Sequence, residues 1–222
     1  MAVKLLRFLT LLLFPCFLRS QTVADADTVI TTPYYVSYCV KKPYLHSSYN
    51  IYKLYKENNI KSVSREKYYF HAHNGSSSKR HFNYKNSGYD KGHLVSAEDM
   101  SFSAAAMENS FLYINCVPQA PNLNRGEWRI EELKWHNYIY NINNKDTLIV
   151  IAGVCDYDSV TLIPAYCFKS VYSVKQRKFL SFSLYINNKQ NNSNRSVKVT
   201  ASLKQKITRI LRDFLLSRYH SS

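Results

Sequence analysis

Acidic residues are scarce in this chain: 15 Asp and Glu stand against 30 Lys and Arg, a formal charge of +15 over 222 residues. The imbalance sets no fold, but it favours polyanionic partners met in fast, salt-sensitive encounters. On charge alone a nucleic acid and a glycan or anionic lipid surface stand level. Glycine and proline are also sparse, at 5 and 6, and no linker rich in either divides the chain. No internal repeat is visible, and no second apolar run of membrane length follows the first twenty residues. The roughly 200 residues after that point suffice for one domain and are too few for two comfortable ones. The expected division is therefore 1–20 as a signal peptide and 21–222 as a single domain.

That opening segment carries Lys4 and Arg7, an apolar stretch from Phe8 to Leu18 broken by Pro15, then Ser20, Ala24 and Ala26. A basic start, a short apolar core and small residues describe a secretory signal. The stretch falls short of the ~20 residues that cross a bilayer, and it lacks the spaced arginines of a mitochondrial presequence, which stays the alternative. Removing Lys4, Arg7 and Arg19 takes the charge from +15 to +12, since no acid lies there. Cys16 leaves with it, and Cys39, Cys116, Cys155 and Cys167 remain, none with zinc-finger spacing. In an oxidising compartment four cysteines permit two disulfides, with Cys155–Cys167 the first expectation and Cys116 equally a buried thiol. Sequons at Asn74, Asn191 and Asn194 fit a secreted glycoprotein.

Val36 to Val40 and Asn50 to Tyr55 read as short strands, and Phe111 to Ile114 as a compact central one. Asn74 to Ser78 reads as an exposed loop. Trp128, Leu133, Trp135 and Ile139 support a helix from Asn124 to about Tyr140. Thr147 to Gly153 is the clearest buried strand. Cys167 to Val174 and Lys178 to Ile186 form a hairpin around Lys175-Gln176-Arg177. Leu203, Ile207, Ile210, Leu211, Phe214 and Leu215 recur at helical spacing, and Tyr140 to Lys145 reads as a turn. Strands in runs with helices inserted and appended indicate an α+β fold with a mainly antiparallel sheet and packed helices.

Three segments carry chemistry: Asp90-Lys91-Gly92-His93, Asn115-Cys116-Val117-Pro118-Gln119, and Asn124-Arg125-Gly126-Glu127-Trp128. A histidine is the natural general base near neutral pH. A lone one is usually structural, but His93 keeps different company. A magnesium-like ion takes oxygen ligands, keeps several waters and often uses one or two protein groups; the Asn124 carbonyl is a legitimate one. Glu132, eight positions on, lies ~12 Å along an ideal helix and ~80° around it. It is better read as holding the ion's water, with Glu127 and Glu131 as competitors. His71 and His73 share a strand face without a clear third ligand, so they read as surface histidines or phosphate contacts. Gly75 to Ser78 lacks the setting of a nucleophile elbow. The 19 tyrosines suit stacking on bases and equally suit half-buried strands.

The span from Tyr89 to about His136 resembles the DNA/RNA non-specific endonuclease family, including the endonuclease G-like enzymes, with its D-R-G-H, N-x-x-P-Q and N-x-G-x-W segments and a glutamate eight residues past the metal asparagine. Ile149 to Gly153 and Ile163-Pro164-Ala165-Tyr166 resemble the family's downstream core, so the likeness covers about half the chain. It implies a ββα-metal (His-Me finger) nuclease core with His93 as general base and Asn124 as ligand of Mg2+ or Mn2+. It further implies that Glu132 orders the ion's waters, Asn115 supports the geometry, and Lys91 and Arg65 contact phosphate. The implied substrate is DNA and/or RNA, cut to 5′-phosphate ends without sequence preference because the site grips phosphate rather than base edges.

Two departures stand out. The signature arginine is Lys91, which keeps charge but loses the bidentate fork, and His136 replaces a further arginine four residues past Glu132. Arg65 matches an upstream arginine loosely. A second reading, from a different class, is a catalytically weakened basic protein that binds nucleic acid or glycan on the same scaffold.

Overall fold

The computed structural model describes residues 21–41, 45–56, 62–73, 82–141, 145–189 and 196–219. The opening apolar segment, the three sequon asparagines, the whole Asn74 to Ser78 loop and residues 142–144 of the expected Tyr140 to Lys145 turn lie outside them. Six strands form one antiparallel sheet: β1 (Thr28–Thr31), β2 (Tyr35–Val40), β3 (His46–Tyr55), β6 (Thr147–Tyr157), β7 (Pro164–Ser173) and β8 (Lys178–Ile186), in the spatial order β1-β2-β3-β6-β7-β8. A separate pair, β4 (Asp90–His93) and β5 (Cys116–Gln119), is antiparallel with Gly92 opposite Val117 and His93 opposite Cys116. The helices are α1 (Ala104–Ser110), α2 (Pro121–Arg125), α3 (Glu127–Tyr140) and α4 (Ala201–Tyr219).

The expected buried strand is β6, and its unbroken apolar run follows from burial on both faces. Ile149, Ile151 and Cys155 meet Leu203, Ile207, Ile210, Leu211 and Phe214 of α4. Leu148 and Val150 pack with Trp135 and Ile139 of α3, while Ala152 and Val154 pack with Leu123 and Trp128. α4 therefore covers one face, and the β4–β5 pair with α1, α2 and α3 covers the other. The hairpin around 175–177 forms as expected. Among the described residues no helix is long and apolar enough to cross a membrane.

Three expectations are corrected. Cys155 and Cys167 form no disulfide: all four described cysteines are free and buried. In the ladder Cys155 opposes Tyr166 and Val154 opposes Cys167, so the two thiols fall on opposite faces, one toward α4 and one toward α3. Burial pushes the Cys116 and Cys167 thiols up to about 12. Phe111 to Ile114 is not a central strand. Phe111 caps α1, Leu112 makes an isolated parallel bridge to His71, and Tyr113–Asn115 is one 3-10 turn; β3 and β6 already pair in the sheet centre, and Asn115 N–H turns back to the Leu112 carbonyl. The single helix from Asn124 is two, broken at Gly126.

One buried acid ties α3 to the sheet. Glu131 accepts from Trp135 Nε1 at 2.7 Å, Tyr185 Oη at 2.8 Å, Ser181 Oγ at 3.0 Å and Ser183 Oγ at 3.1 Å. Burial works against its ionisation, but the four donors outweigh burial and hold the carboxyl below the usual range. A carboxyl whose folded pKa is depressed contributes stability above its unfolded value, lost as pH falls through the folded one. We therefore expect the wild-type urea midpoint to drop below about pH 4.5 more steeply than that of Glu131→Gln. Parallel pH profiles would reject this role for Glu131.

Candidate active site

The β4–β5 pair exists because Gly92 lets the strands close. A Cβ at residue 92 would stand 2.2 Å from Gln119 Oε1 and 2.7 Å from its Cβ, which places His93 at the end of a tightly packed edge. Trp128, in the first turn of α3, donates its indole N–H to the His93 carbonyl at 3.1 Å. This bond fixes the distance between the histidine strand and the helix that carries Glu132. Beneath them Asn115 is fully buried. Its amide donates to the Val95 and Ser110 carbonyls, at 2.9 and 2.8 Å, and its oxygen accepts from Val95 N–H and from Asn50, at 2.7 and 2.8 Å. Asn115 thus supports the site from below and stands outside the cleft wall.

One cleft of about 380 Å³ gathers Arg65, Lys91, His93, Asn124 and Glu132, all selected from sequence, with Arg125 and Arg129 added. Four cations against Glu98 and Glu132 make its wall net positive, which concentrates an incoming phosphate. Lys91 is exposed, with Nζ 5.9 Å from the Phe70 and Tyr84 ring centres. Arg65 sits on a 3-10 turn (Arg65–Lys67), its guanidinium 6.0 Å from the Phe111 ring centre. The loosely matched upstream arginine is therefore in the cleft.

His93 is caged by Phe70 and Phe111, with ring centres 4.6 and 4.8 Å away, and its buried Nε2 has no hydrogen-bond partner among the described residues. Burial, with Arg65 adding to it, lowers its pKa to about 3. The imidazole is therefore neutral at physiological pH, the form that accepts a proton. An anionic phosphate entering beside it would raise that value again, since an opposite charge favours the protonated ring.

Asp90 explains how Asn124 is aimed. Its carboxylate takes both Nε and Nη2 of Arg125, at 2.8 and 2.7 Å, and the Asn124 amide N–H at 3.0 Å. Burial opposes its ionisation and these donors prevail, so the Asp90 carboxyl lies below the usual range. With its nitrogen engaged, Asn124 keeps its carbonyl oxygen available to a hard cation. Among the described residues no three His, Cys, Asp or Glu side chains converge into a metal cage. One amide oxygen, with the Glu132 carboxylate in the same cleft wall, fits a hydrated Mg2+ or Mn2+ ion, which keeps most of its waters.

Several expected alternatives separate from the site. Glu131 is committed to its four donors, and neither it nor Glu127 lines the cleft. His136 pairs through Nδ1 with Asp99 Oδ1 at 3.1 Å and stacks on Tyr140; neither it nor His71 and His73 line the cleft. Sequence reading missed Arg129 and Lys169. Arg129 is one turn past Arg125 in a charged stretch, a signal too common to select it. Lys169, buried on β7, lies 3.0 Å from Glu132 Oε1.

With this geometry in place, the comparison with known proteins can be read. A family model described as DNA/RNA non-specific endonuclease matches residues 17–210. The chain belongs to that family. Human and bovine mitochondrial endonuclease G are each 42% identical to it over 45 residues, 20% of this chain and 15% of theirs; the match thus spans a small part of those relatives' length. The solved structure of the EndoG/EndoGI complex aligns with a TM-score of 0.60 at 18% identity, covering 77% of this chain and 80% of that one. That likeness is one of fold.

The close approach at Gly92 gives a direct test of how the β4–β5 pair is held. Gly92→Ala forces Gln119 aside and should cost about 1–3 kcal/mol, read as a lower urea midpoint at unchanged slope. An unaltered midpoint would show that the strands do not need this contact.

Proposed function

We propose that the chain is a secreted, metal-dependent, sugar-non-specific endonuclease that hydrolyses phosphodiester bonds of DNA and/or RNA to 5′-phosphate ends. The observation that carries this is the meeting of a neutral, caged His93 with Asn124 and Glu132 in one cationic cleft. In this reading His93 acts as general base, its neutral imidazole taking the proton of the attacking water. Arg65, Lys91 and Arg129 bind the phosphate and its neighbours on the strand, contacts that carry no sequence information. Asn124 would hold a Mg2+ or Mn2+ ion through its carbonyl oxygen, with Glu132 ordering the ion's hydration shell and Asp90 holding the asparagine in place. Such an ion supplies charge relief at the scissile phosphate and at the departing 3′-oxygen. Asn115 works at one remove, by fixing the segment that follows His93.

A second reading, a weakened binding protein, draws on Lys91, whose single point charge replaces a guanidinium fork. His136 lends it less support, because its ring is engaged by Asp99 outside the cleft wall. The basic and apolar opening segment supports secretion, while the mitochondrial relatives support the alternative. N-terminal sequencing of the mature protein separates the two.

The enzyme reading is tested with plasmid and double-stranded RNA in the presence of Mg2+ or Mn2+. Cleavage should stop on adding EDTA, and His93→Ala should lower turnover by about 10²–10⁴-fold while substrate binding persists. Cleavage that survives EDTA would remove the metal assignment. A His93→Ala variant that loses binding but keeps its turnover per bound complex would remove the base assignment.

A further inference from the structure

Lys169 is the buried charge that the proposed reaction leaves unexplained. It is 1% exposed in the middle of β7, on the face shared by Cys167 and Val171, toward α3. An ammonium buried there is costly unless paired. Its Nζ lies 3.0 Å from Glu132 Oε1 and 4.2 Å from the centre of the Trp128 ring. That ring is the one whose N–H binds the His93 carbonyl. One indole therefore fixes the histidine strand on its edge and seats, on its face, the cation that grips Glu132.

We propose that Lys169 is a positioning residue for Glu132, holding that carboxylate in one place and one charge state in the cleft wall. The inference rests on the nuclease reading of the cleft and adds a residue to it. The groups facing Glu132 define what Lys169 must oppose. From the segment after β4 comes Asp99, a second buried carboxylate that accepts from Tyr52 Oη of β3 at 2.9 Å and pairs with His136 of α3. Burial raises the Glu132 pKa, Asp99 adds to the rise, and Lys169 pulls it down without cancelling it. Without the ammonium, Glu132 would take up a proton and swing free of its anchor. It would then lose the negative charge that orders water around a cation.

A purely structural ion pair predicts something different, because replacing one with apolar groups is often neutral. The test compares Lys169→Met, Lys169→Arg, Glu132→Gln and the Glu132→Gln/Lys169→Met double variant. Lys169→Met should lower kcat about 10–100-fold at neutral pH, and Lys169→Arg should restore much of it. The double variant should be no slower than Glu132→Gln, since the lysine acts only through the glutamate. A double variant slower than Glu132→Gln by the full Lys169→Met factor overturns the proposal.

A second readout needs no activity. In metal-free protein carrying 13C-labelled glutamate carboxyls, the Glu132 midpoint should rise in Lys169→Met by about one to three pH units. An unchanged midpoint overturns the proposal. Should Lys169→Met not fold, Lys169→Gln takes its place: the same rise in the Glu132 midpoint is expected, and an unchanged midpoint overturns the proposal. A wild type that titrates as expected yet cuts no nucleic acid keeps the Lys169–Glu132 coupling and removes the nuclease reading alone.

Discussion

The Asn115 carboxamide is the joint on which the site hangs. Each of its polar atoms is used, and the partners come from three separate pieces: Asn50 on the central sheet, Ser110 at the end of α1, and Val95 just after His93. Neighbouring carbonyls reinforce it, because Leu94 N–H bonds the Asn115 carbonyl and Ser47 Oγ bonds that of Ile114. Taking the amide away would strand several buried groups, each at about 1–3 kcal/mol. His93 is thus held by a buried polar lock rather than by its own loop. This explains how an edge strand of four residues can hold an imidazole in a fixed position.

Around that joint, burial and charge divide the work. His93 is kept neutral because aromatic rings surround it and a guanidinium stands nearby. Asp90 and Glu131 are kept ionised because donors outweigh their burial. Glu132 lies between these cases: its burial is only partly offset, chiefly by the Lys169 ammonium. A neutral imidazole in the cleft thus stands among acids whose charge is set by different neighbours, each held by the packing of a different element.

The sequence made the site more legible than its supports. His93, Asn124, Glu132, Lys91 and Arg65 were selected because motif spacing is short-range, and the fold brings all five to one cleft. Most strands were legible from β-type apolar runs, and α4 from its 3.6-residue period. The cysteine pairing was not, because closeness along the chain says nothing of the face on which a side chain falls. Register decides that, and Cys155 and Cys167 take opposite sides. Phe111 to Ile114 misled because four apolar residues fit a turn over a core as well as a strand. Lys169 carried a faint signal, a lysine at an inward position between Cys167 and Val171, which becomes readable only once β7 is known to be buried on both faces.

The spacing between Asn124 and Glu132 shows why motif arithmetic needs the backbone. An unbroken helix would set them ~12 Å apart and ~80° around, but the helix ends and restarts at Gly126. A Cβ there would stand 2.4 Å from the Asn122 carbonyl oxygen, so the bend that separates α2 from α3 closes only over glycine. Beyond the break the phase is set anew by Trp128, buried and bonded to the His93 carbonyl. Glu132 follows one turn later on the same face, directly over Lys169. The asparagine, glycine, tryptophan and glutamate thus each make a separate physical contribution. They supply, in that order, an amide held by Asp90 at the cleft, room for a bend, an anchor to the His93 strand, and a carboxylate carried back to the cleft. A tryptophan displaced by one residue would rotate Glu132 by about 100° away from both the cleft and its lysine, which is why the order of these residues matters as much as their presence.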